Sequence, residues 1–276
     1  MRANPPDTVL NQPLNQPLHQ PMTSQQIEQQ IEQLGPWFYE FDLGANRRTR
    51  SELPAEVTAI FETRLQMVNA AVEGHFGSRI SEINCIDVGC HEGFYSIAMA
   101  RKGVRRVTGY DVRERNVEKA RFVAEALGVT SVEYHQGNCE ELSVESAGQH
   151  DLCLFLGLLY HLENPMLCLR NICAVTKEMC VVETQVVDEV EGSAEWGAQN
   201  WTRDYQGVLA LIDESNEYYA ENTETGASPV ATCPSPKALT FMLRQAGFRR
   251  TEFIDPPPDA YEQHKRGKRV VCAAYK

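Results

Sequence analysis

From Ile83 onward the chain predicts an α/β fold built on a parallel sheet, and three observations carry that expectation. Short apolar runs alternate with segments whose apolar residues recur at helical spacing. The runs are continuous rather than alternating, as over 152–156, which marks strands covered on both faces. One strand ends in Asp87-Val88-Gly89-Cys90-His91-Glu92-Gly93, and the next ends in Asp111, 24 residues after Asp87. A strand, glycine loop, helix, strand and acid in that order is how such domains hold an adenosine-bearing ligand.

Taken in order, strands are expected near 83–88, 106–110, 131–135, 151–156 and 179–183, with helices near 93–102, 114–127 and 165–175. In the helix at 114–127, Val117, Ala120, Ala124 and Leu127 form one apolar stripe. Ahead of the sheet, Thr23 with Gln26 has the pattern of a capping box for a helix over 24–34, where Ile27, Ile31 and Leu34 share a face. The aromatic run Gly35-Pro36-Trp37-Phe38-Tyr39 follows, then a helix near 54–76 carrying Val57, Ile60, Phe61, Leu65, Val68 and Val72. Residues 1–22 hold the imperfect repeat Asn-Gln-Pro-Leu-Asn-Gln-Pro-Leu-His-Gln-Pro, lack core-forming periodicity and are expected to be a disordered tail. Residues 185–235 break the rhythm with tryptophans, acids and prolines; a long irregular insertion at a strand's carboxyl end reads as a substrate lid. A helix over 235–246, stopped by Gly247, and strands near 250–254 and 269–274 close the chain. The expected organisation is a tail (1–22), a helical cap (23–80) and a main domain (81–276) that contains the lid.

Composition excludes several classes. A formal charge of −12 argues against broad binding to nucleic-acid backbones, leaving only a local basic patch around Lys265, Arg266, Lys268 and Arg269. No run approaches the roughly 18 apolar residues of a membrane span, and the polar N-terminus is no signal peptide, so no membrane partner is expected. The nine cysteines sit mostly in apolar runs without CxxC spacing, which points to reduced thiols in a cytoplasmic protein and to no metal site.

The loop chemistry selects among cofactors. The glycines are spaced Gly89-xxx-Gly93 rather than GxGxxG, and Asp87 and Glu92 bracket them with negative charge. Carboxylates beside a pyrophosphate repel it, whereas the ammonium and sulfonium of S-adenosylmethionine suit carboxylates and strand-end carbonyls. The residues favour S-adenosylmethionine over a nicotinamide or flavin dinucleotide. Asp111, followed by Val112, would take the ribose hydroxyls, and Asn138 or the backbone after it, in Gly137-Asn138-Cys139-Glu140, would meet the adenine edge. Cys90 would pack beneath the cofactor.

Gly157-Leu158-Leu159-Tyr160-His161-Leu162 places an aromatic–imidazole pair at the mouth of the fourth strand. Methyl transfer is an in-line displacement, so a protein must align nucleophile and methyl and deprotonate a hydroxyl or amine. His161 is the candidate base, since an unperturbed imidazole titrates near pH ~6.5. Glu183, ending the fifth strand, is the second candidate catalytic group, and Trp37 and Trp201 are candidate walls of a substrate pocket. Beside these stand the structural readings: a histidine bonded to the sheet end, a carboxylate capping a turn, and tryptophans that pack.

With these residues the chain resembles class I S-adenosylmethionine-dependent methyltransferases. More narrowly it resembles the wobble-uridine tRNA methoxy/carboxymethyl-transferases and their small-molecule relatives. The likeness spans about 35–276. It rests on Asp87-Val88-Gly89-Cys90 with Gly93-Phe94-Tyr95-Ser96, on Gly157-Leu158-Leu159-Tyr160-His161-Leu162 with Pro165, and on Val182-Glu183-Thr184. It implies a Rossmann-like seven-stranded sheet in the order 3-2-1-4-5-7-6 with the last strand antiparallel. It further implies Gly89 on the methionine part, Asp111 on the ribose, Cys139 and Glu140 flanking adenine, and Leu156 and Tyr160 at the methionine or sulfonium end. The carboxymethyl-transferring relatives carry a lysine shortly after the Pro-Trp pair, where this chain has Phe38-Tyr39-Glu40, and Glu40 would repel a carboxylated cofactor; Arg266 stands near their C-terminal carboxylate clamp. The expectation is ordinary S-adenosylmethionine and methyl transfer to an oxygen or nitrogen of a small molecule. The alternatives are tRNA modification and a non-catalytic cofactor-binding protein.

Overall fold

The strand His150–Leu156 occupies the centre of the main sheet, and its side chains explain why: Leu152, Cys153, Leu154 and Phe155 are wholly buried, so both faces need cover. The computed structural model describes residues 22–216, 222, 225, 226 and 228–276; the expected tail, apart from Met22, lies outside the described residues. In chain order the elements are α1 (Ser24–Leu34), α2 (Ala55–Phe76), β1 (Asn84–Val88), α3 (Phe94–Arg101), β2 (Arg106–Asp111), α4 (Glu114–Ala126), β3 (Val132–Gln136) and α5 (Val144–Ala147). Then come β4 (His150–Leu156), α6 (Pro165–Val175), β5 (Thr176–Gln185), β6 (Ser193–Ala198), β7 (Trp201–Asp204), β8 (Leu209–Asp213), β9 (Val230–Pro234), α7 (Pro236–Ala246), β10 (Arg250–Ile254), α8 (Glu262–Lys265) and β11 (Arg269–Tyr275).

The sheet runs β10-β11-β5-β4-β1-β2-β3. Its first five strands in sequence are parallel, β11 runs antiparallel to β5, and β10 antiparallel to β11. Counted by sheet strands alone, that is the expected order 3-2-1-4-5-7-6. All the parallel strands therefore deliver their carboxyl ends to one edge, where α/β sheets bind ligands.

The N-terminal capping box forms as the sequence implies, with Thr23 accepting from the Gln26 N–H and Gln26 reaching back. Helix α2 buries Phe61, Met67, Val68, Val72 and Phe76 in the core that also holds Leu152, Leu154 and Val181. Trp37 belongs to this packing rather than to a ligand pocket. It is buried, its Nε1 donates to the Ile31 carbonyl at 2.9 Å, and its ring lies against Phe122 and beneath the Lys119 ammonium.

Glu92 fastens the N-terminal segment to the glycine loop. Its buried carboxylate accepts the main-chain N–H groups of Phe38 and Tyr39, each at 2.9 Å, and pairs with Lys119 at 2.8 Å. Lys119 also donates to the Pro36 carbonyl. The charge read as cofactor chemistry is thus consumed by structure.

The insertion after β5 holds two β-ribbons, β6 with β7 and β8 with β9. Sequence periodicity missed the first because β6 and β7 are exposed along almost their whole length, and the second because β9 is buried at four of five residues while β8 is largely exposed, so neither ribbon alternates inside and outside. Trp196 and Trp201 stand 51% and 57% exposed there, with Arg203 over both rings. Trp201 is therefore a surface side chain and does not wall the cleft. Among the described residues no helix is long and apolar enough to cross a membrane.

Removing one partner of a buried ion pair typically costs about 3–5 kcal/mol. Glu92→Gln should therefore lower the urea midpoint by that equivalent and open 35–53 to limited proteolysis. A stability unchanged within about 0.5 kcal/mol would show that the clasp contributes little.

Candidate active site

At the carboxyl edge the chain must leave β1 and turn back into α3. Gly89 makes that turn at φ 78°, its N–H and that of Cys90 bonding the Tyr110 carbonyl. A Cβ on Gly89 would sit 2.8 Å from Leu158 Cδ2, so this main chain runs directly beside the loop after β4. Gly93 is small for a different reason. A Cβ there would meet Tyr134 Oη at 2.5 Å, so this glycine seats α3 against the sheet and lines neither arm of the cleft. Cys90 packs with Val117, Ala120 and Tyr134 under the loop. Asp87 bonds Ser96 Oγ at 2.6 Å, and burial pushes its pKa up to about 7; it anchors the start of α3 instead of facing the cleft.

Two cavities meet along this edge. The smaller, about 70 Å³, is lined by Val88, Val112, Gly137, Asn138, Cys139 and Leu162. The larger, about 330 Å³, reaches Phe38, Arg64, His91, Leu156, Tyr160, His161 and Arg269. Gly89, Asp111, Arg113 and Leu158 line both, so the cavities are two arms of one groove. Asp111 sits at the junction, its carboxylate accepting from the His91 and Arg113 N–H groups at 2.9 Å and from Asn116 at 3.1 Å. Burial raises its pKa, opposed by those N–H donors. Asn138 Oδ1 accepts the Glu140 N–H, while the Glu140 carboxylate turns away to Asn164. Cys139 reaches the small arm, but Glu140 does not flank it.

Tyr160 and His161 stand in the large arm, ring centroids 4.1 Å apart. His161 Nδ1 lies 3.5 Å from Glu214 Oε1. Burial, then the Arg269 and Arg113 charges, lower the His161 pKa to about 4, so the ring is neutral at physiological pH.

Glu183 departs from its expected role. It is wholly buried, pairs with Arg64 at 3.0 Å, Arg269 at 3.1 Å and His264 at 3.4 Å, and does not line the groove. Burial alone would raise its pKa; Arg64 and Arg269 outweigh that and hold it far below the usual carboxylate range. A carboxylate so held does not act as a base. Arg266 is corrected too, for it is exposed and paired with Glu262 one helical turn away; the cleft arginine is Arg269, three residues on. Glu40 pairs with Arg48 on the surface and exerts no repulsion inside the groove.

Sequence reasoning missed Arg64, His91, Arg113, Glu214 and Arg269. A signal existed for Arg64, which shares the apolar face of α2 with Ile60, Phe61, Met67 and Val68, where a charge needs a partner. His91 takes φ 51°, with both ring nitrogens buried and unpartnered beside Phe38, and nothing in its sequence neighbourhood reports that.

A seven-stranded sheet of this order, with a glycine turn and a strand-end acid at the split, defines the class I methyltransferase fold. The methyltransferase domain family matches residues 80–247, and the chain belongs to that family. A ubiquinone biosynthesis O-methyltransferase of Bordetella avium (strain 197N) is 35% identical over 119 residues, 43% of this chain and 46% of that protein. That of Vibrio parahaemolyticus serotype O3:K6 is 32% identical over 114 residues, 41% of this chain and 46% of its own length. The match thus spans about half the length of these curated relatives. Among solved structures, the N-terminal domain of EvdMO1 with SAH bound superposes with a TM-score of 0.68 at 22% identity, over 92% of this chain and 95% of that one. Magnesium protoporphyrin IX methyltransferase of Synechocystis PCC 6803 gives 0.53 at 14%, over 82% and 86%.

Glu183→Gln should leave two buried guanidiniums undercompensated and cost about 3–5 kcal/mol, read as a lower urea midpoint at unchanged slope. A loss of turnover at undiminished stability would instead restore Glu183 as a catalytic group.

Proposed function

We propose that the chain is an S-adenosylmethionine-dependent methyltransferase that methylates an oxygen or nitrogen of a small molecule. The observation that carries this is the two-armed groove at the sheet's carboxyl edge with the Asp111 carboxylate at its junction. The residues present fit the cofactor. Asp111 offers buried acceptor lone pairs for a diol, the small arm has the polar Asn138 and flat apolar walls for adenine, and Gly89 lets the methionine part lie against main chain. Val112 and Cys139 complete the adenine arm, and Leu156 and Tyr160 stand at the sulfonium end. When bound, the cofactor supplies a methyl group already activated by its sulfonium.

The protein's own part is to orient the acceptor and take its proton. His161 is neutral, has Nδ1 toward Glu214 and leaves Nε2 for the acceptor's proton; the Glu214 carboxylate stabilises the imidazolium so formed. Residues 185–235 act as the lid. Arg113 donates to the Asn222 and Thr225 carbonyls, and Gly226 lies so close to the His161 carbonyl that a Cβ would approach it to 2.1 Å.

Relatives named for O-methylation in ubiquinone biosynthesis, and a neighbour crystallised in the presence of SAH and D-fucose, support a small-molecule acceptor. Of the basic residues that a tRNA substrate would use, Arg48, Arg266 and Lys268 each face a carboxylate, which supports it as well. Nine buried cysteines without disulfides support a cytoplasmic location.

Calorimetric titration with S-adenosylhomocysteine should show binding, weakened by Asp111→Ala by on the order of 1.5–3 kcal/mol, roughly 10- to 150-fold. Tritiated methyl should appear in a metabolite extract; label confined to bulk tRNA would overturn the small-molecule reading. Because His161 is lowered to about 4 from 6.5, its base form persists below pH 6.5, and kcat/KM should hold level from pH 7 to about 5 before falling. An acid limb centred near ~6.5, or an unchanged rate in His161→Ala, would remove it as the base.

A further inference from the structure

The acceptor half of the groove carries a pair of buried cations that the proposed methyl transfer does not use. Arg64 and Arg269 both line the large arm and both are buried, at 5% and 7% exposure. The acid between them is Glu183, which lies behind them and does not reach the cavity. The other charges on this arm are Asp111 and Arg113 at the cofactor junction and Glu214 beside His161. Where Arg64 and Arg269 meet, two guanidiniums share the single Glu183 carboxylate.

The hydrogen-bond inventory points the same way. Arg269 is engaged through Nε with Gln263, through Nη1 with Glu183 and through Nη2 with the Tyr160 hydroxyl. Arg64 keeps its Nε buried with no hydrogen-bond partner. A buried guanidinium N–H left unpaired is costly and uncommon, and Arg64 is one of the side chains lining the cavity that an acceptor would enter.

Position separates this charge from the cofactor. Gly89, Asp111 and Asn138 lie at the ends of β1, β2 and β3. Arg269 opens β11 opposite Gln185 at the end of β5, two strands beyond β4 on the other side of the sheet. Lining the same arm are Leu53 and, on the helix that carries Arg64, Val57, Ile60 and Phe61, an apolar wall. The arm is therefore cationic at one end and greasy along its side.

Resting on the methyltransferase reading above, we infer that the acceptor is a small organic acid with an apolar body, its carboxylate held by Arg64 and Arg269. A monoanion in the arm pairs with the two guanidiniums and leaves its apolar part against Val57, Ile60 and Phe61 of α2. Forked guanidinium–carboxylate pairing gives direction as well as charge, so it also aims the acceptor's far end at Tyr160 and His161.

The test uses the full chain saturated with S-adenosylhomocysteine. A panel of acids (4-hydroxybenzoate, phenylacetate, octanoate) is titrated calorimetrically against the matching uncharged amides. At least one acid should bind about tenfold or more tighter than its amide. Arg269→Gln should erase that preference while S-adenosylhomocysteine affinity stays within about twofold. Should Arg269→Gln fail to melt cooperatively, Arg269→Lys and Arg64→Lys keep the charge but lose the fork, and each should shrink the preference. Three results overturn the inference: no acid preferred over its amide in the wild-type chain; S-adenosylhomocysteine affinity falling with Arg269 as far as acid affinity does, which assigns the arginines to the cofactor's own carboxylate; or an Arg269-dependent gain of about tenfold for a carboxymethyl-sulfonium cofactor over S-adenosylmethionine, which places the anion on the transferred group. A wild-type chain that fails to bind S-adenosylhomocysteine at all defeats the methyltransferase reading instead.

Discussion

The burial of Glu183 between two guanidiniums is the constraint on which the cleft depends. One carboxylate at the end of β5 ties Arg64 of α2 to Arg269 of β11, with His264 of α8 on its remaining side. Segments as distant in sequence as α2, β5 and β11 are thus fixed around one charge. Stripping water from these groups is expensive, and the arrangement persists because each charge finds a partner at hydrogen-bond distance. Arg269 passes the constraint on to Tyr160 through its hydroxyl, so the large arm inherits its geometry from a residue that does not line it.

A second buried pair, Glu92 with Lys119, does the same for the other wall. It holds Phe38 and Tyr39 by their main-chain N–H groups and so places their rings against His91. The cleft is accordingly lined by loops and held by charges set one layer behind it. This is a common economy in α/β proteins, where the sheet edge supplies position and the loops supply chemistry.

The sheet was legible because its strands are continuous apolar runs and its turns are glycines, and neither signal depends on distant residues. The same holds for Asp111, which strand-end position alone identifies. What failed to read were charges whose partners lie far off in sequence. Glu92 and Glu183 look like free carboxylates until Lys119, Arg64 and Arg269 are brought to them from 27, 119 and 86 residues away. Arg266 and Arg269 are indistinguishable by composition, and only the turn after α8 decides which points inward. The ribbon of β6 and β7 escaped because strands exposed on both faces leave no pattern.

Gly89, Asp111, Arg113 and Leu158 face both arms of the groove, and this has a thermodynamic consequence. Whatever settles in one arm remakes part of the lining of its neighbour, so the two ligands do not associate independently. By linkage, the factor by which the first alters the grip on the second is returned in full by the second. An unreactive mimic of either would then serve as a handle for finding its companion.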